Sequence, residues 1–320
     1  MISVLLTTYN SDFYLKDSIY SILNQTYKEF EFVIIDDGST DNTESIITTI
    51  RDSRIRYYKI EHIGRSKALN YGLKICNYDW VALIDADDIA HPNRLELQLL
   101  NDLKYNNIVI ISSVYFYENE ILFRINVKDL QIPQDLILHQ KFPNAVLYNR
   151  KYILENGGYN ENLAVAEDYE LWLRLMNASQ FLVVDKVLMY CRKAPKSLSR
   201  KNEKLTELTI YNIQDTYYKC IEKNFKIFKN NEKNYYRGWR EFFFGNPKLA
   251  KKYWFTNVQS LCDLRILMAT FIISLPEKYI RQFKRNNVKL RMKFLLNKVI
   301  GRNKELERNF KKTIKLLHEL

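Results

Sequence analysis

The sequence predicts an α/β fold: a mainly parallel, Rossmann-like sheet flanked by helices over residues 1–205, followed by a basic α-helical region over residues 206–320. Three observations predict it. Short apolar runs alternate with helix-length amphipathic stretches from Ile2 to Val114, the signature of βαβ units and a parallel sheet. Two of the apolar runs end in acidic clusters, Asp36-Asp37 and Asp85-Ala86-Asp87-Asp88. The charge is divided: residues 1–204 carry 24 Lys and Arg against 27 Asp and Glu, whereas residues 205–320 carry 25 against 10.

The elements follow in order. Ile2–Thr7 reads as a buried strand, and Phe13–Leu23 as a helix with Ser11 or Asp12 available to cap it. Glu31–Ile35 is a strand running into Asp36-Asp37-Gly38-Ser39, Asp41–Ile50 a helix, Ile55–Ile60 a strand and Arg65–Cys76 a helix. Trp80–Ile84 is a strand ending in the second acidic cluster, and Pro92 starts a helix reaching about Tyr105. Ile108–Val114 is a further strand. Beyond residue 205 the pattern is helical over Leu205–Phe228, Asn234–Phe244, Pro247–Ile273 and Pro276–Leu320.

Composition narrows the class. The 320 residues, 47% apolar, suffice for one large domain and a small one. Cys76, Cys191, Cys220 and Cys262 form no CxxC pair, which speaks against zinc or a disulfide framework and fits a reducing compartment. MISVLLTTYN has neither a basic n-region nor a cleavage site, so no signal peptide is expected. The longest apolar run, Ile266–Leu275, is short of the roughly 20 residues that span a bilayer. The Gly-rich dinucleotide fingerprint, the P-loop, HExxH and GxSxG are all missing. His62, His91, His139 and His318 are scattered and read as structural or exposed, with His62 and His91 near the acidic loops.

Three constellations carry chemistry. In parallel sheets ligands bind beyond the carboxyl ends of the strands, where both acidic clusters fall. A carboxylate of the Asp36-Asp37 turn can accept a base N–H or a ribose hydroxyl; the same acids could simply cap the next helix. Asp85, Asp87 and Asp88 repel one another after an apolar strand, a cost that suits Mg²⁺ or Mn²⁺ held together with substrate phosphates, against the alternative of a solvated acidic loop. Glu167-Asp168 precedes Leu171, Trp172 and Leu175 at helical spacing. That places Asp168 in a first helical turn near the ligand edge, where it could take a proton from a hydroxyl or serve only the helix dipole.

Taken in order, these segments resemble the family 2 glycosyltransferases over roughly residues 1–205. The resemblance is carried by Ser3-Val4-Leu5-Leu6-Thr7-Thr8-Tyr9-Asn10, Ser21-Ile22-Leu23-Asn24-Gln25-Thr26-Tyr27 and Asp36-Asp37-Gly38-Ser39. It continues through Gly64-Arg65-Ser66-Lys67-Ala68-Leu69-Asn70, Asp85-Ala86-Asp87-Asp88 with Pro92, Arg94 and Leu95, and Glu167-Asp168. It implies a GT-A fold and inverting transfer of a sugar from a nucleotide-sugar, a UDP-sugar being favoured. It also implies roles: Asp37 at the nucleobase, Thr8 and Tyr9 in the nucleoside pocket, Arg65 in the segment closing over the base. Asp85 and Asp87 would hold ribose and a divalent metal, with Asp168 as the base and Glu167 its substitute. One departure stands out, since Ala194 occupies the place of a metal- or diphosphate-binding His. That shifts diphosphate charge toward Arg192, Lys193 and Lys196.

The acceptor expected from this resemblance is a growing bacterial surface glycan, of lipopolysaccharide or capsule type, or a lipid-linked sugar. The basic tail carries Tyr235, Tyr236, Trp239, Phe242, Phe243, Phe244, Tyr253, Trp254 and Phe255 among its charges. That mixture fits an anionic membrane surface better than nucleic acid, with a solvated helical bundle as the alternative. The expected location is the cytoplasm, peripheral on the inner face of the plasma membrane. The competing functional reading is a non-catalytic nucleotide-sugar binder with a decayed site.

Overall fold

The computed structural model describes residues 1–101, 103–116, 121–123, 145–176, 178–192, 203–224, 230–243, 245–255, 270–271 and 273–274. Among these, the residues up to 192 form one compact unit and those from 203 onward another.

Among the described residues the first unit is built on a nine-stranded sheet. Its N-terminal half has β1 (Ile2–Thr8), α1 (Asp12–Leu23), β2 (Phe30–Asp36), α2 (Thr43–Thr49), β3 (Ile55–Lys59), α3 (Arg65–Ile75) and β4 (Trp80–Asp85). The strands lie in the order β3-β2-β1-β4, all parallel. β1 and β2 are buried along their whole length, as strands covered on both faces must be, which is why they read as unbroken apolar runs. The register matters most for function. Thr8 pairs with Asp36 and Thr7 with Asp85, so one edge of the sheet gathers the ends of three strands.

The remaining elements are β5 (Ile89–Ala90), α4 (Arg94–Leu99), β6 (Ile108–Phe116), β7 (Ile121–Phe123), β8 (Val146–Asn149), α5 (Arg150–Glu155), α6 (Glu167–Leu175) and β9 (Gln180–Cys191). They extend the sheet as β4-β8-β6-β9-β5, with β7 on β6. Here the sheet is mixed. β8 runs antiparallel to both β4 and β6, β9 runs parallel to β6, and β5 runs antiparallel to β9. The expectation of a mainly parallel sheet therefore describes the N-terminal half. β5 and β8, at two and four residues, are too short to show a period in the sequence. A bulge in β9 opposite Ser112 and Ser113 bends its end toward β5, setting Cys191 and Arg192 beside the acidic loop after β4.

α4 ends at Leu99, short of Tyr105, because the Asn101 side-chain amide turns back to donate to the carbonyls of Leu97 and Gln98. This short helix turns polar groups inward. Arg94 is fully buried and donates Nη2–H to the carbonyls of Leu83 at 2.6 Å and Val146 at 3.2 Å, while Gln98 donates to Ala145 at 3.0 Å. Arg94 thus ties β4 to β8 just beneath the acidic loop.

The second unit has α7 (Glu203–Asn224), α8 (Asn230–Phe243) and α9 (Pro247–Phe255). Trp239, Phe242 and Trp254 pack on one another with ring centroids 4.8–5.8 Å apart around Ala250. Phe242 and Trp254 are buried and Trp239 is partly buried against them, whereas Phe255 and Phe271 are exposed. Arg240 pairs with Asp215 at 2.9 Å and lies 4.4 Å from the Tyr211 ring. No helix among the described residues is long and apolar enough to cross a membrane. Of the helix expected over Pro247–Ile273, residues 256–269 lie outside the described residues, as does the whole of the helix expected over Pro276–Leu320.

Replacing Arg94 by Leu removes the donor to two buried carbonyls. Each orphaned group costs about 1–3 kcal/mol, so denaturant unfolding of Arg94→Leu is expected to show a loss of at least ~2 kcal/mol. A change within ±0.5 kcal/mol, the level of a neutral surface substitution, would show that Arg94 does not tie the strands.

Candidate active site

The site is assembled where β1, β2 and β4 end. Asp36 is fully buried and committed to the fold: Ser39 N–H donates to one oxygen at 2.8 Å and Tyr57 O–H to the other at 2.9 Å. Burial, and then the bond to Asp36, push the Tyr57 phenol well up. Asp37 turns the other way. Its carboxylate accepts the backbone N–H of Ile63 at 2.8 Å and of Gly64 at 3.0 Å, and faces His62 Nδ1 at 2.9 Å. Gly38 makes this approach possible. Its φ is +76°, and a Cβ there would lie 2.8 Å from the His62 backbone nitrogen.

Beside this turn, Tyr9 stacks on the His62 ring with centroids 4.0 Å apart and planes at 16°. The Thr8 hydroxyl is buried with no protein partner. The residues expected around a nucleoside, Thr8, Tyr9 and Asp37, are thus brought together; His62, read from the sequence as structural or exposed near the acidic loops, joins them.

Arg65 opens α3 and reaches across the sheet edge. Its Nη2 lies 2.5 Å from Asp85 Oδ1, its Nε 2.6 Å from Glu167 Oε1, and its Nη1 3.4 Å from Thr7 Oγ1. Burial works against the Arg65 charge, but Asp85 and then Glu167 outweigh it and hold the guanidinium well above its ordinary value. Arg65 was expected in a segment over the base; among its described contacts it clamps two acids. Glu167 is correspondingly occupied and nearly buried.

Asp168 lies in the first turn of α6, as expected from the sequence. Ala166, before it, has φ 59°, a strained value for a non-glycine residue, which sets the acidic pair at the helix start. Burial, and then the Glu167 charge, push the Asp168 carboxyl up to about 7, although Tyr169 N–H donates to it at 2.7 Å.

The loop after β4 holds Asp85, Asp87 and Asp88. Burial, then Asp85, push Asp87 up to about 6. Asp88 is pushed up well above the carboxylate range by burial and by Asp87 and Asp85; it accepts from Cys191 Sγ at 3.2 Å and from Arg192 N–H at 3.3 Å. The Arg192 side chain turns to α1, with Nη2 2.5 Å from Asp17 and its guanidinium 4.9 Å from the Tyr14 ring, while Nη1 has no protein partner. No group of three or more His, Cys, Asp or Glu among the described residues is placed to hold a metal ion. Asp85 and Asp87, the pair expected to hold a cation, lie at the end of β4 and in this loop. Lys193, Ala194 and Lys196 lie outside the described residues.

The raised Asp168 pKa has a consequence for stability. An acid whose folded value lies above its unfolded value binds more protons when folded. It therefore costs stability as pH rises from about 4 to about 7, and the full cost persists above that. Asp168→Asn is accordingly expected to raise the thermal midpoint at pH 8 and leave it near wild type at pH 4. Equal midpoint shifts at the two pH values would refute the shift.

Residues 3–156 match the sequence profile of Glycosyl transferase family 2. An uncharacterized glycosyltransferase of Methanocaldococcus jannaschii is 31% identical over 261 residues, 76% of this chain and 86% of that protein. The O-antigen biosynthesis glycosyltransferase WbnJ of Escherichia coli is 31% identical over 189 residues, 55% of this chain and 72% of that one. The UDP-Glc:alpha-D-GlcNAc-diphosphoundecaprenol beta-1,3-glucosyltransferase WfgD of Escherichia coli is 29% identical over 191 residues, 58% and 73% of the two chains. The chain spans 43% of a Rickettsia felis relative and 37% of a Rickettsia conorii one, so several relatives are much longer. Among solved structures, S. aureus TarS 1–349 with UDP-GlcNAc superposes with TM-score 0.59 at 20% identity, covering 87% of this chain and 82% of that one. The mannosyltransferase PcManGT from Pyrobaculum calidifontis with GDP-Man and Mn²⁺ gives 0.56 at 16%, covering 92% and 86%. At these identities the structural likeness is one of fold, and the fold is that of the GT-A glycosyltransferases. Sequence and fold therefore agree on one assignment: the chain belongs to glycosyltransferase family 2.

Proposed function

We propose that this protein transfers a sugar from a nucleotide-sugar, a UDP-sugar by preference, to a hydroxyl of a bacterial surface glycan or lipid-linked acceptor, with inversion. The observation that carries the reading is the Asp168 carboxyl. It stands at the start of α6, pushed to about 7, next to a Glu167 that Arg65 ties to Asp85. A base for a sugar hydroxyl works best when its pKa sits near the working pH.

In the proposed step Asp168 takes the proton of the acceptor hydroxyl. The oxygen attacks the anomeric carbon from the face opposite the leaving group, the bond to the diphosphate oxygen breaks, and nucleoside diphosphate departs with that electron pair. Thr8, Tyr9 and Asp37 would take the nucleoside, and Asp85 the ribose. Asp85 and Asp87 would hold a divalent ion, Mg²⁺ or Mn²⁺. The raised Asp87 pKa marks a place short of positive charge, and two carboxylates leave most of an ion's shell for substrate phosphates, as Mg²⁺ commonly has it. When bound, such an ion offsets the charge that builds on the departing diphosphate. Arg192 adds a guanidinium with an unpartnered nitrogen to the same edge. The donor preference draws support from the UDP-Glc in the name of WfgD and the UDP-GlcNAc bound to TarS, and the metal from the Mn²⁺ of PcManGT. The acceptor class draws support from the O-antigen and diphosphoundecaprenol names.

A screen of nucleotide sugars against lipid-linked acceptors tests the reading. Asp168→Asn is expected to lose at least ~10²-fold in rate while keeping nucleoside diphosphate binding. The wild-type kcat/KM is expected to climb with pH up to about 7, where Asp168 becomes the free base, and then level. Nucleotide binding with no transfer to any acceptor would leave the non-catalytic binder. Wild-type turnover by Asp168→Asn would remove Asp168 from the role.

The C-terminal region, with its net charge of +15 over residues 205–320, is further proposed to hold the protein at the inner face of the plasma membrane. Because Phe242 and Trp254 are buried and Trp239 packs against them, the attachment rests chiefly on charge, at about 1 kcal/mol for each Lys or Arg near an anionic surface. Sedimentation with phosphatidylserine-containing vesicles is expected to fall steeply with salt; equal binding to neutral vesicles would defeat this.

A further inference from the structure

We propose that His62 belongs to the nucleobase subsite: its ring fills the place of a pyrimidine, and the base enters by displacing it. The inference rests on the nucleotide-sugar reading and deepens it. At the edge of the sheet the chain sets an exposed aromatic face, Tyr9, beside a buried carboxylate, Asp37. A flat heterocycle with a ring N–H suits that pair, covering the ring and donating to the acid. The protein already supplies such a heterocycle. The His62 imidazole lies on Tyr9 with centroids 4.0 Å apart and planes at 16°, the geometry of a stacked base. Its Nδ1 lies 2.9 Å from Asp37 Oδ2 and 3.0 Å from the Asp37 carbonyl. Both are acceptors, so Nδ1 carries the proton and donates, as uracil N3–H would.

Two further features fit a ring that comes and goes. The His62 side chain is half exposed, whereas Asp37 is buried, so the ring can swing outward and leave the carboxylate in place. The Ile63 and Gly64 amides go on holding Asp37 when His62 leaves, so the acid is never stranded. The Thr8 hydroxyl, next along the chain from Tyr9 and buried without a protein partner, is the polar group an entering ligand would satisfy. Uracil replaces both lost interactions at once, the stack and the N–H. Cytosine, whose N3 is an acceptor, replaces only the stack. The displaced ring lowers the apparent affinity for every base by the same factor, because the competent state is only part of the population.

Titration calorimetry of the full chain with UDP, uridine and pyrophosphate, each with Mn²⁺ present, tests this on wild type, His62→Ala and His62→Phe. His62→Ala is expected to bind UDP and uridine about tenfold more tightly, by a common factor, with pyrophosphate unchanged. His62→Phe, which keeps the ring and loses the N–H, should gain less. The His62 Cε1 proton should leave the ring current of Tyr9 when UDP saturates the wild type. Unchanged affinities, a gain for pyrophosphate, or weaker uridine binding by His62→Ala would each overturn the proposal. UDP binding with an unaltered wild-type to variant ratio refutes this inference alone; failure of both proteins to bind UDP refutes the nucleotide-sugar reading and this inference with it.

Discussion

The site hangs on the guanidinium of Arg65. The parallel register delivers Asp85 to the end of β4, and the strained turn at Ala166 delivers Glu167 and Asp168 to the start of α6. Brought to one edge, these acids would repel one another and drive the helix start away. Arg65, from a third element, bonds one oxygen of Asp85 and one of Glu167 and touches Thr7. Removing one member of a part-buried ionic group leaves uncompensated charge, a loss of about 3–5 kcal/mol when the group is well buried. The clamp also has a chemical result. Glu167 is held in place by Arg65, so the Asp168 carboxyl beside it meets burial and the Glu167 charge with no ion pair of its own among the described contacts.

Much of this frame is written locally in the sequence, and the clamp is not. The alternation of apolar runs and helical stretches locates β1 to β4 and the helices between them, because β1, β2 and most of β4 are buried and the strands are bounded by turn residues. The acids stand at strand ends and are visible as interruptions of apolar runs. Arg65, by contrast, meets Asp85 and Glu167, 20 and 102 residues away, and no spacing rule connects them. The sequence pattern of Arg65-Ser66-Lys67 reads as the start of a helix, and only the register of β1 with β4 shows which carboxylate it faces. The reversed strand β8 was equally hidden, since four residues show no period, and what fixes it is the inward-facing Arg94 and Gln98 of α4.

The same limit explains why neighbouring acids with similar letters play different parts. Asp36 and Asp37 are adjacent, yet the pleat points them to opposite sides of the strand end. One is sealed under Tyr57 and Ser39, the other holds the loop from His62 to Gly64. The aromatics of the tail divide the same way: Trp254 is fully buried and Phe255 is exposed, one position apart on a helix. Composition counts both equally, which is why a basic, aromatic-rich tail reads as membrane-directed and as a bundle at once.

What remains is a distribution of charge in which partners decide function. Asp36 is held by Ser39 and Tyr57, Asp85 is held by Arg65, and Asp88 is met by the Arg192 amide and the Cys191 thiol. Asp87 and Asp168 have no side-chain ion pair among the described contacts, and they are the two carboxyls pushed to about 6 and about 7. Burying a carboxylate that no cation pairs costs the fold stability. Arg65 meets Asp85 and the Arg192 amide meets Asp88, so Asp87 and Asp168 are the acids at which, on the proposed function, a cation and a proton would be taken up. A divalent ion with a diphosphate would supply the first and a sugar hydroxyl the second, so the stability forgone in the free protein is recovered when the substrates bind.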